Sequence, residues 1–277
     1  MKIIKFVPVA IVLCCAVLLA DAQVLKRTTV KTESIPIGPG STFSIMGAPL
    51  GDISVGVAAG NTVEMTATIE VQAVSEADLA GAVALTGYIT QEELGRVGVV
   101  SVGPDTRRKF TSEEKKLLKR LQGLPYRIDY VVKLPKYTNV EIDGGQGKIS
   151  LVGPEGQHKI KGVDSDLQVT ASGFIFITLE KGKAHVELLG GTRFSGLDAS
   201  VVSGDIAVLR FRSVSGDIDA SVLHTGTVFN KDPDLKARDA RKFPFSEKLV
   251  KARAGAGGPV IKLTVGDGNV WLNPLVE

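Results

Sequence analysis

Four aspartates carry the chemistry one would first test in this sequence. Asp52, Asp205, Asp217 and Asp267 each follow a glycine directly, in Gly51-Asp52-Ile53, Gly204-Asp205-Ile206, Gly216-Asp217-Ile218 and Gly266-Asp267-Gly268. Brought into register, such carboxylates could line a groove that binds calcium or performs acid–base work on a polysaccharide. Calcium-roll repeats, however, are nonapeptides dense in glycine, a pattern this chain lacks. Aspartate beside glycine is equally turn chemistry, because its carboxylate bonds nearby backbone N–H groups. The expectation is therefore four corner residues, each bonding its own turn.

Other candidates are weaker. His158, His185 and His224 have no metal-ligand spacing, and the first two fall on opposite phases of the local alternation, so all three are expected at the surface and no metal or cofactor is expected. There is no Gly-x-Ser-x-Gly elbow for a nucleophilic serine. Gly255-Ala256-Gly257-Gly258 lacks the Gly-Lys-Ser/Thr ending of a phosphate loop. The single tryptophan, Trp271, sits in an alternating strand, where it could stack on a sugar but more commonly covers a sheet edge or the core. Both cysteines, Cys14 and Cys15, lie in the first 22 residues, so the remaining chain has no thiol for disulfide, zinc or nucleophile.

The elements that would hold these residues begin with a leader. Lys2 and Lys5 precede an apolar run from Phe6 to Ala20, and Ala20-Asp21-Ala22 offers a small-x-small exit. That is the pattern of a signal peptide over residues 1–22, too short to span a bilayer comfortably. It predicts an exported product, in periplasm, cell envelope or extracellular space, with no stable membrane span after cleavage. Without the leader the net charge is +2, too small for a nucleic-acid footprint.

From Thr28 to Val74 the chain reads as strands; Asn61–Val71 alternates apolar and polar residues, the mark of a strand with one wet face. Ser75-Glu76-Ala77-Asp78 reads as a helix start, and Arg96–Val102 as another strand. Thr111-Ser112-Glu113-Glu114 with Leu117, Leu118 and Leu121 predicts an amphipathic helix, inserted over 111–123 and stopped by Gly123. Its basic face is read as solvated, and the helix as one candidate cover for a sheet end.

After Pro125 the pattern becomes a repeat. Gly147-Lys148-Ile149, Ser165-Asp166-Leu167, Ala184-His185-Val186 and Gly204-Asp205-Ile206 each open an alternating stretch. The apolar members Ile149, Leu167, Val186 and Ile206 lie 18, 19 and 20 residues apart. A coil holding two strands of about six residues, at about 3.3 Å rise each, and two turns has this length. Stacked coils would make those four side chains one inward column. Glycines at the corners, Gly51, Gly147, Gly204, Gly216 and Gly268, would supply positive φ. The motif Ser-Gly-Asp-Ile occurs at 203–206 and again at 215–218, so either one coil is cut short or the two copies occupy different sides of one coil. Residues 231–254 read as an irregular excursion, and Val260–Leu272 as a strand pair around a Gly-Asp-Gly turn that closes the sheet.

This order of motifs, with Tyr130–Pro135 before the repeats and Gly257–Leu263 and Gly268–Leu272 at the end, resembles the bacterial putative adhesin domain family, a domain of unknown function allied to head-domain autotransporter-like adhesins. The resemblance spans roughly residues 40–273 and implies an exported, right-handed β-helix-like fold with no catalytic residues to transfer. The expectation is an all-β solenoid over residues 23–277, a non-catalytic envelope or surface module that meets a glycan or envelope protein through a repetitive β-face. A polysaccharide-active enzyme with groove carboxylates and a periplasmic signalling partner are the alternatives. Unpaired ends of such a stack would favour self-association.

Overall fold

The computed structural model describes residues 24–104, 111–121, 123–189, 193–211, 213–238 and 245–274; the leader lies outside them. The chain forms β1 (Leu25–Pro36), β2 (Thr42–Leu50), β3 (Ile53–Ala58) and β4 (Thr62–Ala73), then helix α1 (Glu76–Leu85). After β5 (Gly87–Glu93), β6 (Arg96–Val102) and helix α2 (Ser112–Leu121) comes β7 (Tyr126–Pro135). β8 (Asn139–Leu188) is a continuous extended run of 50 residues. β9 (Gly196–Arg210), β10 (Gly216–Val222), β11 (Val228–Asn230), β12 (Leu235–Ala237), β13 (Leu249–Ala254), β14 (Val260–Asp267) and β15 (Val270–Pro274) complete the order. Among the described residues these 15 strands form one large sheet that does not close.

β8 and β9 are long because they bend without breaking. Each contributes to two faces, and alternation sends every second side chain inward on both. On one face Ile53 pairs in parallel with Ile149, Ala184 with Ile206, Ile206 with Val270, and Val270 with Val228. On the other, Phe43 pairs with Val140, Ile175 with Leu197, Leu197 with Ile261, and Ile261 with Ile218. All of these side chains are buried. Burying each one fully contributes about 1.5–3 kcal/mol, Ala184 less, so the inward rows carry the fold.

Ile149, Leu167, Val186 and Ile206 are all buried, but the four do not form one column: Ile206 lies beside Ala184, and Val186 beside Val208. Gly182 stacks on Ser165, 17 residues earlier, two fewer than the 19 between Leu167 and Val186, so Val186 lies one inward step further along its strand. The two Ser-Gly-Asp-Ile copies fall on different faces: Ile206 aligns with Ala184, whereas Ile218 aligns through Ile261 with Leu197. Gly216 accordingly has no positive φ and simply opens β10, a correction to its reading as a corner.

The largest departure is at the C-terminus. β14 and β15 do not close the sheet as a pair. β14 lies between β9 and β10, and β15 between β9 and β11, all in parallel. A hairpin and a parallel insertion have the same local alternation, so the pattern alone favoured the simpler choice. The end of the stack is formed instead by β13, antiparallel to β10, and β12, antiparallel to β13. Both lie in the stretch expected to be irregular. Beneath them Arg210 is buried with Asp232: Nε and Nη2 donate to Oδ2 at 2.9 and 2.6 Å, and Nη1 donates to the Val214 carbonyl at 2.9 Å. Such a pair is tolerated in the interior because nearly every polar atom is matched.

The other end is capped by antiparallel strands as well. β4 pairs with β7, β1 with β4, and β5 with β6. α1 packs on β4 through Leu79, Ala82 and Leu85. Ser75 caps it, accepting from the Asp78 N–H at 3.2 Å. α2 packs against α1 and buries Leu121, while Lys115, Lys116 and Lys119 are exposed.

The passes stack so closely at one corner that a side chain has no room. A Cβ on Gly204, whose φ is +140°, would lie 1.7 Å from the Gly182 carbonyl oxygen, and one on Gly268 would lie 1.8 Å from that of Gly204. Gly60 also has positive φ but nothing within 4 Å. Gly204→Ala is therefore expected to cost about 3 kcal/mol, against about 1 kcal/mol for Gly60→Ala. Urea denaturation of the two variants measures the difference; equal losses would show that the corner is not packed this way.

Candidate functional site

The corner aspartates act across passes, not within their own turns. The Lys148 N–H donates to Asp52 Oδ1 at 2.8 Å, and the Asn269 N–H donates to Asp205 Oδ1 at 2.8 Å. The ladder extends at both ends: Asp129 Oδ1 accepts from the Asp52 N–H at 2.7 Å, and Asn269 Oδ1 accepts from the Thr227 N–H at 3.1 Å. Each donor belongs to the neighbouring pass, so these side chains tie passes together. Asp267 accepts from the hydroxyl and N–H of Thr225, and the hydroxyl bond above all holds its carboxyl below the usual range. Asp217 differs, forming an ion pair with Arg253 Nε at 2.9 Å. Asp205 and Asp217 thus lie on different faces and do not converge on one site. The role of the Asp205 oxygen as acceptor predicts that Asp205→Asn stays within about 0.5 kcal/mol of the parent, while Asp205→Ala loses about 1–2 kcal/mol by stranding the Asn269 N–H. Chemical denaturation of both variants checks this, and equal losses would refute it.

Concave space lies elsewhere, on the outside of the second face. A cleft of about 400 Å³ is lined by Thr42, Asn139, Glu141, Gln157, Lys159, Phe174 and Phe176, with His158 behind them. An adjoining hollow of about 230 Å³ continues past Gly156 and Gly173 to Arg193 and Ser195. The rims come from alternation: Asn139 and Glu141, Gln157 and Lys159, and Phe174 and Phe176 are successive outward pairs of β8. Gly196 shapes the floor, because its missing side chain admits the Phe174 ring, whose edge lies 3.0 Å from the position a Cβ would take. Asn139 is fixed, accepting from the Gln157 N–H at 2.8 Å and donating to the Gly40 carbonyl at 2.9 Å.

The carboxylates of this groove are paired. Glu141 binds Arg96, and Glu155 binds Lys136 at 2.7 Å and Arg193 at 3.4 Å. The Arg193 guanidinium lies 4.3 Å from the centre of the Tyr137 ring. Aromatic faces, amides and paired charges suit stacking and hydrogen bonding to a neutral polar ligand.

Sequence reasoning missed this groove, although a signal was present. Phe174-Ile175-Phe176-Ile177 is apolar on both faces of a strand whose neighbours are polar outside. It also placed all three histidines at the surface. His185 and His224 are partly or fully exposed, but His158 is 1% exposed and occupies an inward position. Its Nε2 lies 3.2 Å from the Ser172 carbonyl and 3.3 Å from that of Pro154. Both neighbours are acceptors, so Nε2 carries the proton, and the buried Nδ1 has no partner among the described residues. Burial, only partly offset by the two carbonyls, pushes the imidazole below its ordinary value of 6.5. A proton on Nδ1 would be a buried charge with no acceptor. The fold therefore holds its full stability above about pH 6.5 and loses part of it as pH falls through the lowered value. In His158→Met that component is absent: the stability difference between parent and variant, followed by denaturation from pH 8 to pH 4.5, is constant at the alkaline end and shrinks or reverses on acidification. A difference that never changes with pH would overturn this account.

Trp271 faces outward beside Phe229, ring centres 4.1 Å apart and nearly parallel at 17°.

No protein-family model matches the sequence, and no curated protein matches it significantly. Among solved structures, a putative cell adhesion protein from Clostridium sporogenes is 12% identical, with 91% of this chain and 100% of that chain covered, at a TM-score of 0.49. A putative adhesin from Bacteroides fragilis is 11% identical, covering 89% of this chain and 97% of that one, at a TM-score of 0.27. A putative adhesin from Parabacteroides merdae is 8% identical, covering 88% and 96%, at a TM-score of 0.22.

Proposed function

We propose that the chain is an exported, non-catalytic interaction module of the cell envelope or surface, built as a right-handed β-solenoid and adhesin-like in the broad sense. Residues 1–22 serve as its signal peptide and 23–277 as a single domain. The parallel pairing of β8, β9, β14 and β15, with inward rows running across them, supports the solenoid reading. Stability resides in those inward rows, which leaves outward positions free to vary with a partner.

The observation that carries the functional reading is the groove at Phe174 and Phe176. Its ligand is a glycan: pyranose rings offer C–H faces to phenyl groups and hydroxyls to Gln157, Lys159 and Thr42. Both groove carboxylates, Glu141 and Glu155, are held by cations, an arrangement suited to binding and not to the paired acid and base of glycoside hydrolysis.

A glycan array probed with purified residues 23–277 tests this directly. Binding to a defined polymer without release of reducing ends is expected, with Phe174→Ala weakening it at least tenfold and leaving the unfolding midpoint within a few degrees. Absence of any glycan binding would sink the proposal, and turnover would replace it with an enzymatic one.

A further inference from the structure

The sheet ends differently at its two extremes. β12, beyond β13, is 3 residues long, whereas β1, beyond β4, has 12. Among the described residues no strand pairs with the far edge of β1. The direction of its main-chain groups follows from one bond: the Gln72 N–H of β4 donates to the Pro125 carbonyl at 3.1 Å, on the β7 side. Main-chain groups alternate sides along an antiparallel strand, so the odd-numbered positions of β4 face β1. Their partners in β1 are odd as well, from Arg27 opposite Val71 to Ile35 opposite Val63. The bond from the Ile37 N–H to the Asn61 carbonyl, at 2.9 Å, keeps that parity. Lys26, Thr28, Val30, Thr32 and Ser34 therefore point their N–H and C=O groups at the unpaired edge. All five are exposed, Val30 by 61%. Pro36 shares their parity, so its missing N–H leaves the ladder to β4 intact.

This edge is complementary to itself. Laid antiparallel on a second copy and centred on Val30, it sets Thr28 opposite Thr32 and Lys26 opposite Ser34 in the hydrogen-bonded pairs. Arg27 then lies opposite Glu33, twice by symmetry, in the non-hydrogen-bonded pairs where side chains come closest. Both charges are available. Glu33 accepts from the hydroxyls of Tyr88 at 3.0 Å and Thr90 at 2.9 Å, which fix the carboxylate, and it has no ion pair among the described residues. Arg27 has a loose contact to Glu76, 3.6 Å between two exposed side chains. Neighbouring registers are worse: centring on Thr29 sets Arg27 opposite Lys31, and centring on Lys31 sets two lysines face to face.

We propose that β1 is a dimerisation edge and that its partner is a second copy of this chain. The two β1 strands join antiparallel with Val30 facing Val30 across a twofold axis, Arg27 and Glu33 pairing on either side, so that two sheets become one. Because the contact uses the same strand on both copies, it closes at the dimer and does not propagate. This goes beyond the function proposed above and stands without the glycan reading.

Sedimentation equilibrium of residues 23–277, from micromolar to near-millimolar concentration, is expected to show monomer and dimer with no larger species. Val30→Pro removes an N–H that faces away from β4, and is expected to weaken the dimer at least tenfold while the unfolding midpoint of the dilute monomer stays within a few degrees. Arg27→Glu and Glu33→Arg each set like charges across the axis and are expected to weaken it as much. An equimolar mixture of the two restores association, because each position then meets its opposite charge; a misfolded chain would not be rescued in this way. Should Glu33→Arg lose its fold along with the Tyr88 and Thr90 bonds, Val30→Pro decides alone. A parent that is monomeric throughout overturns the proposal, as does a dimer that Val30→Pro leaves undiminished. Folded charge variants that stay apart when mixed overturn it too.

Discussion

At one corner of this molecule the carbonyl oxygen of each pass occupies the place where the next pass would carry a Cβ. Gly51, Gly147, Gly182, Gly204, Gly268 and Gly226 all meet a backbone oxygen within 2.2 Å of that position. Passes can approach at β-sheet spacing there only because the side chain is missing and φ is positive. The same corner supplies Asp52, Asp205 and Asn269, whose side-chain oxygens accept N–H groups from the adjacent pass. Close approach and side-chain bonding are thus two aspects of one constraint, since the short oxygen bridge works only where backbones nearly touch. The inward rows of aliphatic side chains follow, because fixing one corner fixes the register of every residue after it.

That division of labour determines where function can reside. Inward positions and corners are committed to the stack, and the outward positions of the strands are not. The Phe174–Phe176 groove is where outward aromatic side chains border a hollow, with Gly196 leaving room for the Phe174 ring. Its walls are largely strand positions, so its shape is as rigid as the sheet beneath.

Much of this was legible in the residues. The recurrence of Ile149, Leu167 and Ile206 marked inward positions, and Gly51 and Gly204 before their aspartates marked corners, whereas Gly216 before Asp217 did not. The capping serine of α1 and the stop at Gly123 were local chemistry and read correctly. What was hidden was non-local. Nothing near Asp205 says that its acceptor serves Asn269, 64 residues on. Nothing near Val260 says that β14 will lie between two strands that precede it. His158 shares its phase with buried Ile160, and that parity, not the polarity of its ring, decides where it lies. The Phe174–Phe176 groove required knowing which strands become neighbours, a property of topology and not of any one segment.

The insertion of β14 and β15 between β9 and the β10–β11 pass bears on how the molecule is made. A chain emerging from a ribosome or a translocation pore delivers β9, then β10 and β11, before the strands that must separate them. Until β14 and β15 follow, the newest pass either waits undocked or rests on β9 in a place it must later vacate. The layer they form is interior, so its loss leaves a gap within the sheet and not a frayed edge.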